Sequence, residues 1–185
     1  HWKHRRQRQM CIRDRVETTD DMAGLTRRYT DKAIEYLEDQ RDPEKPFLLY
    51  LAHTMMHTII DASPEFKEKT GDNLYRAVVE EFDYETGRLL EKLDQLGLRK
   101  NTLVIYTTDN GPWNQPKYYE NKKGHPGNSI FWGDAGPFRD GKASLYEGGS
   151  HVPCLMRWPG KIAAGETNDA PVSYTHLRAH ETHPN

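Results

Sequence analysis

The 185-residue sequence is short of cysteine, of long apolar runs and of net charge. Its two cysteines, Cys11 and Cys154, cannot supply a disulfide framework, so the fold must rest on a packed core. The longest apolar run is the six residues from Phe47 to Ala52, far below the ~20 needed for a membrane-crossing helix, and the N-terminus has no signal-peptide pattern. There is no internal repeat and no low-complexity tract, which sets aside solenoids and linker-like disorder.

The ends read differently from the middle. MCIRD (Met10 to Asp14) can be encoded by five codons whose reverse complement encodes VSYTH (Val172 to His176). Such an inverted pair resembles the mosaic end of a transposase-based sequencing adapter, and RRQRQ (Arg5 to Gln9) and LRAHET (Leu177 to Thr182) read as adapter continuations. Residues 1–15 and 172–185 are therefore expected to be adapter-derived, disordered tails, and 16–171 the insert that carries the fold. The first tail carries six Lys or Arg against one Asp, and the second one Arg against one Glu. The whole-chain charge of −2 thus becomes −7 without them. The basic N-terminus is then no sign of nucleic-acid binding, and an acidic insert argues against that partner. Five of the nine histidines and Cys11 also leave with the tails.

Within the insert, helical and strand patterns alternate. YTDKAIEYLEDQ places Ala33, Ile34 and Leu37 on one face, which predicts a helix from Asp31 to Gln40 capped by Thr30 or Asp31. FLLYLA, Phe47 to Ala52, is a continuous apolar run suited to a strand buried on both faces. Leu74, Val78, Phe82, Leu89, Leu93 and Leu96 recur at helical steps, so a long amphipathic helix is expected, closing at Gly97. Leu103 to Thr108 is the second predicted core strand. With a helix between them, the two strands are expected to run parallel in one sheet. Residues 109–149 read as loop, and HVPCLMRWPG (His151 to Gly160) as a further strand and turn.

In open parallel sheets, ligands gather beyond the carboxyl ends of the strands. AHTMMHT, TDNGP and GKASLYEGG would meet at such a rim. Asp109 and Asn110 offer adjacent hard oxygens of the kind calcium or magnesium accepts. The same Asp-Asn-Gly is also ordinary turn chemistry, loop histidines such as His53 and His57 are more often solvated or packed than functional, and Lys142 alone reads as a surface lysine.

Taken together, PFLLYLAHTMMHT, LYRAVVEEFDYETGRLLEKLDQLGLRKNTLVIYTTDNGPW and GPFRDGKASLYEGGSHVPCLMRWPGKI resemble the arylsulfatase family of the alkaline phosphatase superfamily, from about Thr26 to Gly165. The resemblance implies an α/β catalytic domain, an alkaline phosphatase-like mixed sheet flanked by helices and here incomplete. The implied activity is hydrolysis of a small-molecule or glycan sulfate ester. It implies a divalent cation, Ca2+ first and Mg2+ second, with Asp109 and Asn110 as metal ligands. Lys142 would contact the sulfate and His57 would hydrogen-bond one of its oxygens, both as catalytic and substrate-binding groups; His53 matches no catalytic position. Family members are often secreted, periplasmic or lysosomal.

The sequence departs from the family pattern at three places. The prolines usually flanking the second histidine, in a PHTP string, are Met56 and Ile59 here, and proline would have fixed φ in that loop. The arginine of GGxRVP is His151. The formylglycine nucleophile, made from the Cys or Ser of a C/S-x-P-x-R string, has no counterpart; CIRDR at Cys11 has Arg13 where proline belongs. The N-terminal pair of metal-binding acids is also missing, so formylglycine and those acids are expected upstream and this chain alone is expected to be inactive. A phosphate or phosphonate ester hydrolase of the same superfamily, and a non-catalytic binding protein on the same scaffold, are the alternative readings.

Overall fold

The computed structural model describes residues 21–57, 60–71, 73–113 and 133–170. Both expected tails lie outside these residues.

Helix α1 spans Leu25–Glu35 and runs on through a π turn, Tyr36–Gln40. This corrects the expected start at Asp31: the cap is Gly24, and Thr30 and Asp31 lie inside the helix. Thr26 and Thr30 share the buried face with Ala33 and Leu37. The Thr30 hydroxyl donates to the Thr26 carbonyl at 3.3 Å, which satisfies it away from water. Two polar residues on the inner stripe hid the first turns from a hydrophobic-period reading.

Helix α2, Pro64–Thr70, starts from Ser63 with proline at its first turn, too short for a hydrophobic period to announce it. Helix α3, Leu74–Gln95, matches the expected long helix. The Asn73 side chain caps it by accepting from the Arg76 amide at 2.9 Å, and Gly97 takes φ +72° just past its end. Helices α1 and α2 both pack on α3. Met55, Ala62, Phe66, Ala77 and Val78 form the apolar cluster between α2 and α3. The inner stripe of α3 also carries two buried acids. Glu85 lies between Arg27 of α1 (Nε to Oε1, 3.3 Å) and Arg88. Glu81 accepts from the Ser63 amide at 2.8 Å, and burial holds its carboxyl above the usual range.

Strands β1, Val104–Thr107, and β2, Cys154–Arg157, pair antiparallel, with Val104 opposite Arg157 and Thr107 opposite Cys154. Both lie within stretches expected to be strands. The expected parallel pairing of β1 with residues 47–52 is not found: 47–52 take no regular secondary structure, and no described residue pairs with them as a strand. Nor are they buried on both faces, since Leu48 and Tyr50 are 91% and 80% exposed. An apolar run specifies an affinity for a sheet, whereas strand pairing needs a neighbouring backbone. The sheet is fastened to the helices by Arg157, whose Nη2 donates to Asp94 of α3 at 2.8 Å, by the Phe82 and Tyr106 rings 5.8 Å apart, and by the Trp158 indole donating to the Lys100 carbonyl at 3.1 Å. The architecture is a helical layer on a two-stranded antiparallel sheet, an incomplete α/β fold.

Candidate functional site

The turn after β1 is made by its own threonines. Thr107 Oγ1 donates to the Pro153 carbonyl at 3.0 Å, holding the strand end beside the approach to β2. Thr108 Oγ1 donates to the Asn110 carbonyl at 3.1 Å and curls the chain so that Asp109 is exposed and Asn110 half-buried. Among the described residues neither the Asp109 carboxylate nor the Asn110 amide is engaged in a hydrogen bond or ion pair.

Lys142 comes from the loop preceding helix α4, Glu147–Ser150, and is fastened to that turn through main chain. Its amide donates to the Pro112 carbonyl at 2.8 Å, and the Gly111 amide donates to the Gly149 carbonyl at 2.9 Å. Gly148 N to Arg139 O at 3.0 Å and Ser144 N to Gly141 O at 3.1 Å close the loop on itself. The Lys142 ammonium makes no ion pair with a described residue.

His57 follows the apolar 47–52 segment. Met55 plugs the apolar cluster, and the His57 amide donates to the Thr54 carbonyl at 3.3 Å, which leaves the His57 ring at an exposed position. The three described non-glycine residues with left-handed backbone are Met56 (φ 73°), Asp140 (φ 66°) and Ala143 (φ 70°). One adjoins His57 and the other two bracket Lys142. Backbone strain of this kind persists only where surrounding structure holds it.

His57, Asp109, Asn110 and Lys142 all border one broad open groove of about 2770 Å³, but so do His53 and many residues of α1, α3, β1 and β2, so the groove alone does not draw the four together. Asn110 and Lys142 sit on loops directly bonded to each other; His57 shares only the groove with them. The His53 ring is wedged edge-on against Phe82 and Tyr29, with centroids 4.7 Å and 5.6 Å away. Burial lowers its pKa, with Glu85 opposing the shift, and its Nδ1 is buried without a partner. It packs as an aromatic. His151 stacks on Phe138 at 4.1 Å and 26°.

A hard cation takes six or more oxygens, and Asp109 and Asn110 supply two. Among the described residues no group of three His, Cys, Asp or Glu side chains gathers to complete the set. The pair suits one edge of such a site. The sequence reading missed the glycines that join the two loops: a methyl group on Gly111 would overlap the Gly148 carbonyl oxygen, and one on Gly148 would overlap that of Asp140. The one signal in the sequence is the glycine of DNG and the pair in EGG, within the stretch that reads as loop.

A family model described as Sulfatase matches residues 3–180. Steryl-sulfatase of Rattus norvegicus is 40% identical over 153 residues, covering 83% of this chain and 25% of that protein. Arylsulfatase G of Mus musculus is 34% identical over 161 residues, covering 85% of this chain and 30% of that protein. Among solved structures, the PsFucS1 sulfatase from Pseudoalteromonas sp. superposes with a TM-score of 0.66 at 28% identity, over 83% of this chain and 29% of that one. The chain spans 25% to 30% of the length of these two curated relatives.

Proposed function

The chain belongs to the sulfatase family, and on that premise we propose that its residues serve hydrolysis of sulfate esters, of aryl alcohols or of sugars, with a divalent cation, calcium before magnesium. Residues 16–171 are the catalytic-domain portion in this reading, and 1–15 and 172–185 are adapter translation.

The observation that supports the reading best is the 2.8 Å bond from the Lys142 amide to the Pro112 carbonyl, which fastens an ammonium-bearing loop to an acid–amide turn. A sulfate ester is already anionic, and attack at sulfur concentrates further charge on the peripheral and leaving oxygens. The Lys142 ammonium and a His57 N–H aimed at those oxygens would stabilise the transition state more than the ground state. Lys142 would also assist the departing oxygen, as general acid or as fixed charge. Asp109 and Asn110 would hold one side of the cation, which when bound polarises the sulfate oxygens. Attack itself needs the formylglycine that the family makes from a C/S-x-P-x-R string, and this sequence has none. The chain therefore supplies anion binding and charge stabilisation without a nucleophile.

Two-dimensional amide NMR of the chain, titrated first with calcium chloride and then with sodium sulfate, tests the assignment. Calcium should move the Asp109 and Asn110 signals, and sulfate those of His57 and Lys142. Lys142→Ala should lose the sulfate response and keep that to calcium. Calcium shifts that bypass Asp109 and Asn110 would remove the metal assignment; sulfate shifts that bypass Lys142 would remove its role.

A further inference from the structure

The groove residues stand on separate loops, and the two loops bearing Asn110 and Lys142 meet main chain to main chain at Gly111 and Pro112. The Gly111 Cα faces the Gly148 carbonyl, the Gly148 Cα faces the Arg139 and Asp140 carbonyls, and the Gly149 Cα faces those of Gly141 and Ser144. At each of the three, an added Cβ would overlap main-chain oxygen, which no side-chain rotation relieves. Alongside these contacts run the bonds Gly111 N to Gly149 O, 2.9 Å, and Lys142 N to Pro112 O, 2.8 Å. The backbone on either side of Lys142 is left-handed at Asp140 and Ala143, so the loop has little freedom of its own to return Lys142 to place once the contact opens.

We propose that Gly111, which seats the 109–112 turn on the 139–149 loop, and Gly148 and Gly149, which fold that loop tightly on itself to receive it, are positioning residues that together set the reach of Lys142 from Asp109 and Asn110. The inference rests on reading Lys142 as the sulfate-binding group and Asp109 and Asn110 as metal ligands. Its physical content is that a lysine on a flexible stem gains a fixed aim only if its backbone is anchored to the loop bearing the cation's ligands. An error of about 1 Å in such placement costs ~10²-fold in rate. Glycine is required here for close approach of two main chains, a demand separate from the positive φ that explains Gly97.

Amide hydrogen exchange on the 185-residue chain tests the interlock without any turnover. In Gly148→Ala the Gly111 and Lys142 amides should exchange faster together, by about tenfold or more, while Val78 and Leu93 in α3 keep their rates. Gly87→Ala, at a helical glycine with nothing within 4 Å of an added Cβ, should leave Gly111 and Lys142 unchanged. Acceleration of only one of the two amides, or of all amides alike, would overturn the proposal. Should Gly148→Ala fail to fold, the unmodified chain decides: under increasing urea, Gly111 and Lys142 should open in one step, and separate openings would overturn the interlock. Manganese(II) separates this from the metal assignment. In the unmodified chain it should broaden the Asn110 and Lys142 amides; in Gly148→Ala, broadening should remain at Asn110 and fade at Lys142. Lys142 broadened equally in both would contradict positioning. No broadening at Asp109 or Asn110 would count against the metal assignment alone, with exchange still deciding the interlock.

Discussion

Met56 carries a backbone dihedral that its neighbours impose. A φ of +73° costs a side-chain-bearing residue about 1–2 kcal/mol and is closed to proline, whose ring holds φ near −65°. Met56→Pro, which restores the proline of the family string, should therefore lower the stability of this chain by roughly 1–3 kcal/mol in urea unfolding. An unchanged or raised midpoint would mean that the turn before His57 adopts another conformation. His53 makes a pH-dependent contribution of definite sign. Burial depresses its pKa in the fold below the ordinary 6.5, so the neutral ring is the one that packs. Its contribution is present above the unfolded value and is lost as pH falls from 6.5 through the folded value. His53→Phe keeps the edge contacts and removes both the titration and the unpartnered Nδ1, so it should flatten the fall in stability between pH 7 and pH 5. An equal fall in both proteins would contradict this. At this scale the sequence shows residue types at Asp109, Asn110 and Lys142, and their roles stay with the proposed function. The depressed His53 was not legible, because its environment is built by Tyr29 and Phe82, distant in sequence.

Helix α3 shows what periodicity does and does not carry. Its extent and its glycine stop followed from the spacing of Leu74, Val78, Phe82, Leu89 and Leu93. The burial of Glu81 and Glu85 on the same stripe did not, since each depends on a donor from another element: the Ser63 amide for one, Arg27 of α1 for the other. Glu85→Gln leaves Arg27 and Arg88 facing a neutral amide and should destabilise by about 1–3 kcal/mol. The low end is favoured because the two arginine side chains are 41% and 32% exposed and water screens them. Unfolding of Glu85→Gln against the parent at pH 7 checks it, and equal stability would show that the pair only fills space. For residues 47–52, composition announced an element of a sheet, but pairing belongs to two strands at once, and no described strand lies against it.

At the scale of the whole molecule, the exposed apolar residues and the function have one explanation. Leu48, Tyr50 and Leu155 are 91%, 80% and 64% exposed on segments whose composition suits a sheet interior. The chain spans 25% to 30% of the two curated relatives' lengths. A surface this apolar on segments suited to a sheet fits a chain that carries one part of a larger sheet. The family was legible because the strings that resemble it, TDNGP and GKASLYEGG, fall on the loops that end β1 and precede β2. The interlock between those loops was not, because it is made by main-chain atoms that every residue shares. In the proposed function, these residues bind and stabilise a sulfate ester without being able to attack it. Release of nitrophenol from 4-nitrophenyl sulfate by the purified chain, with calcium present, tests that claim most directly. The account predicts no release above that of Lys142→Ala. Turnover by the parent that disappears in Lys142→Ala would contradict it, since the chain would then hold a nucleophile that its sequence does not reveal.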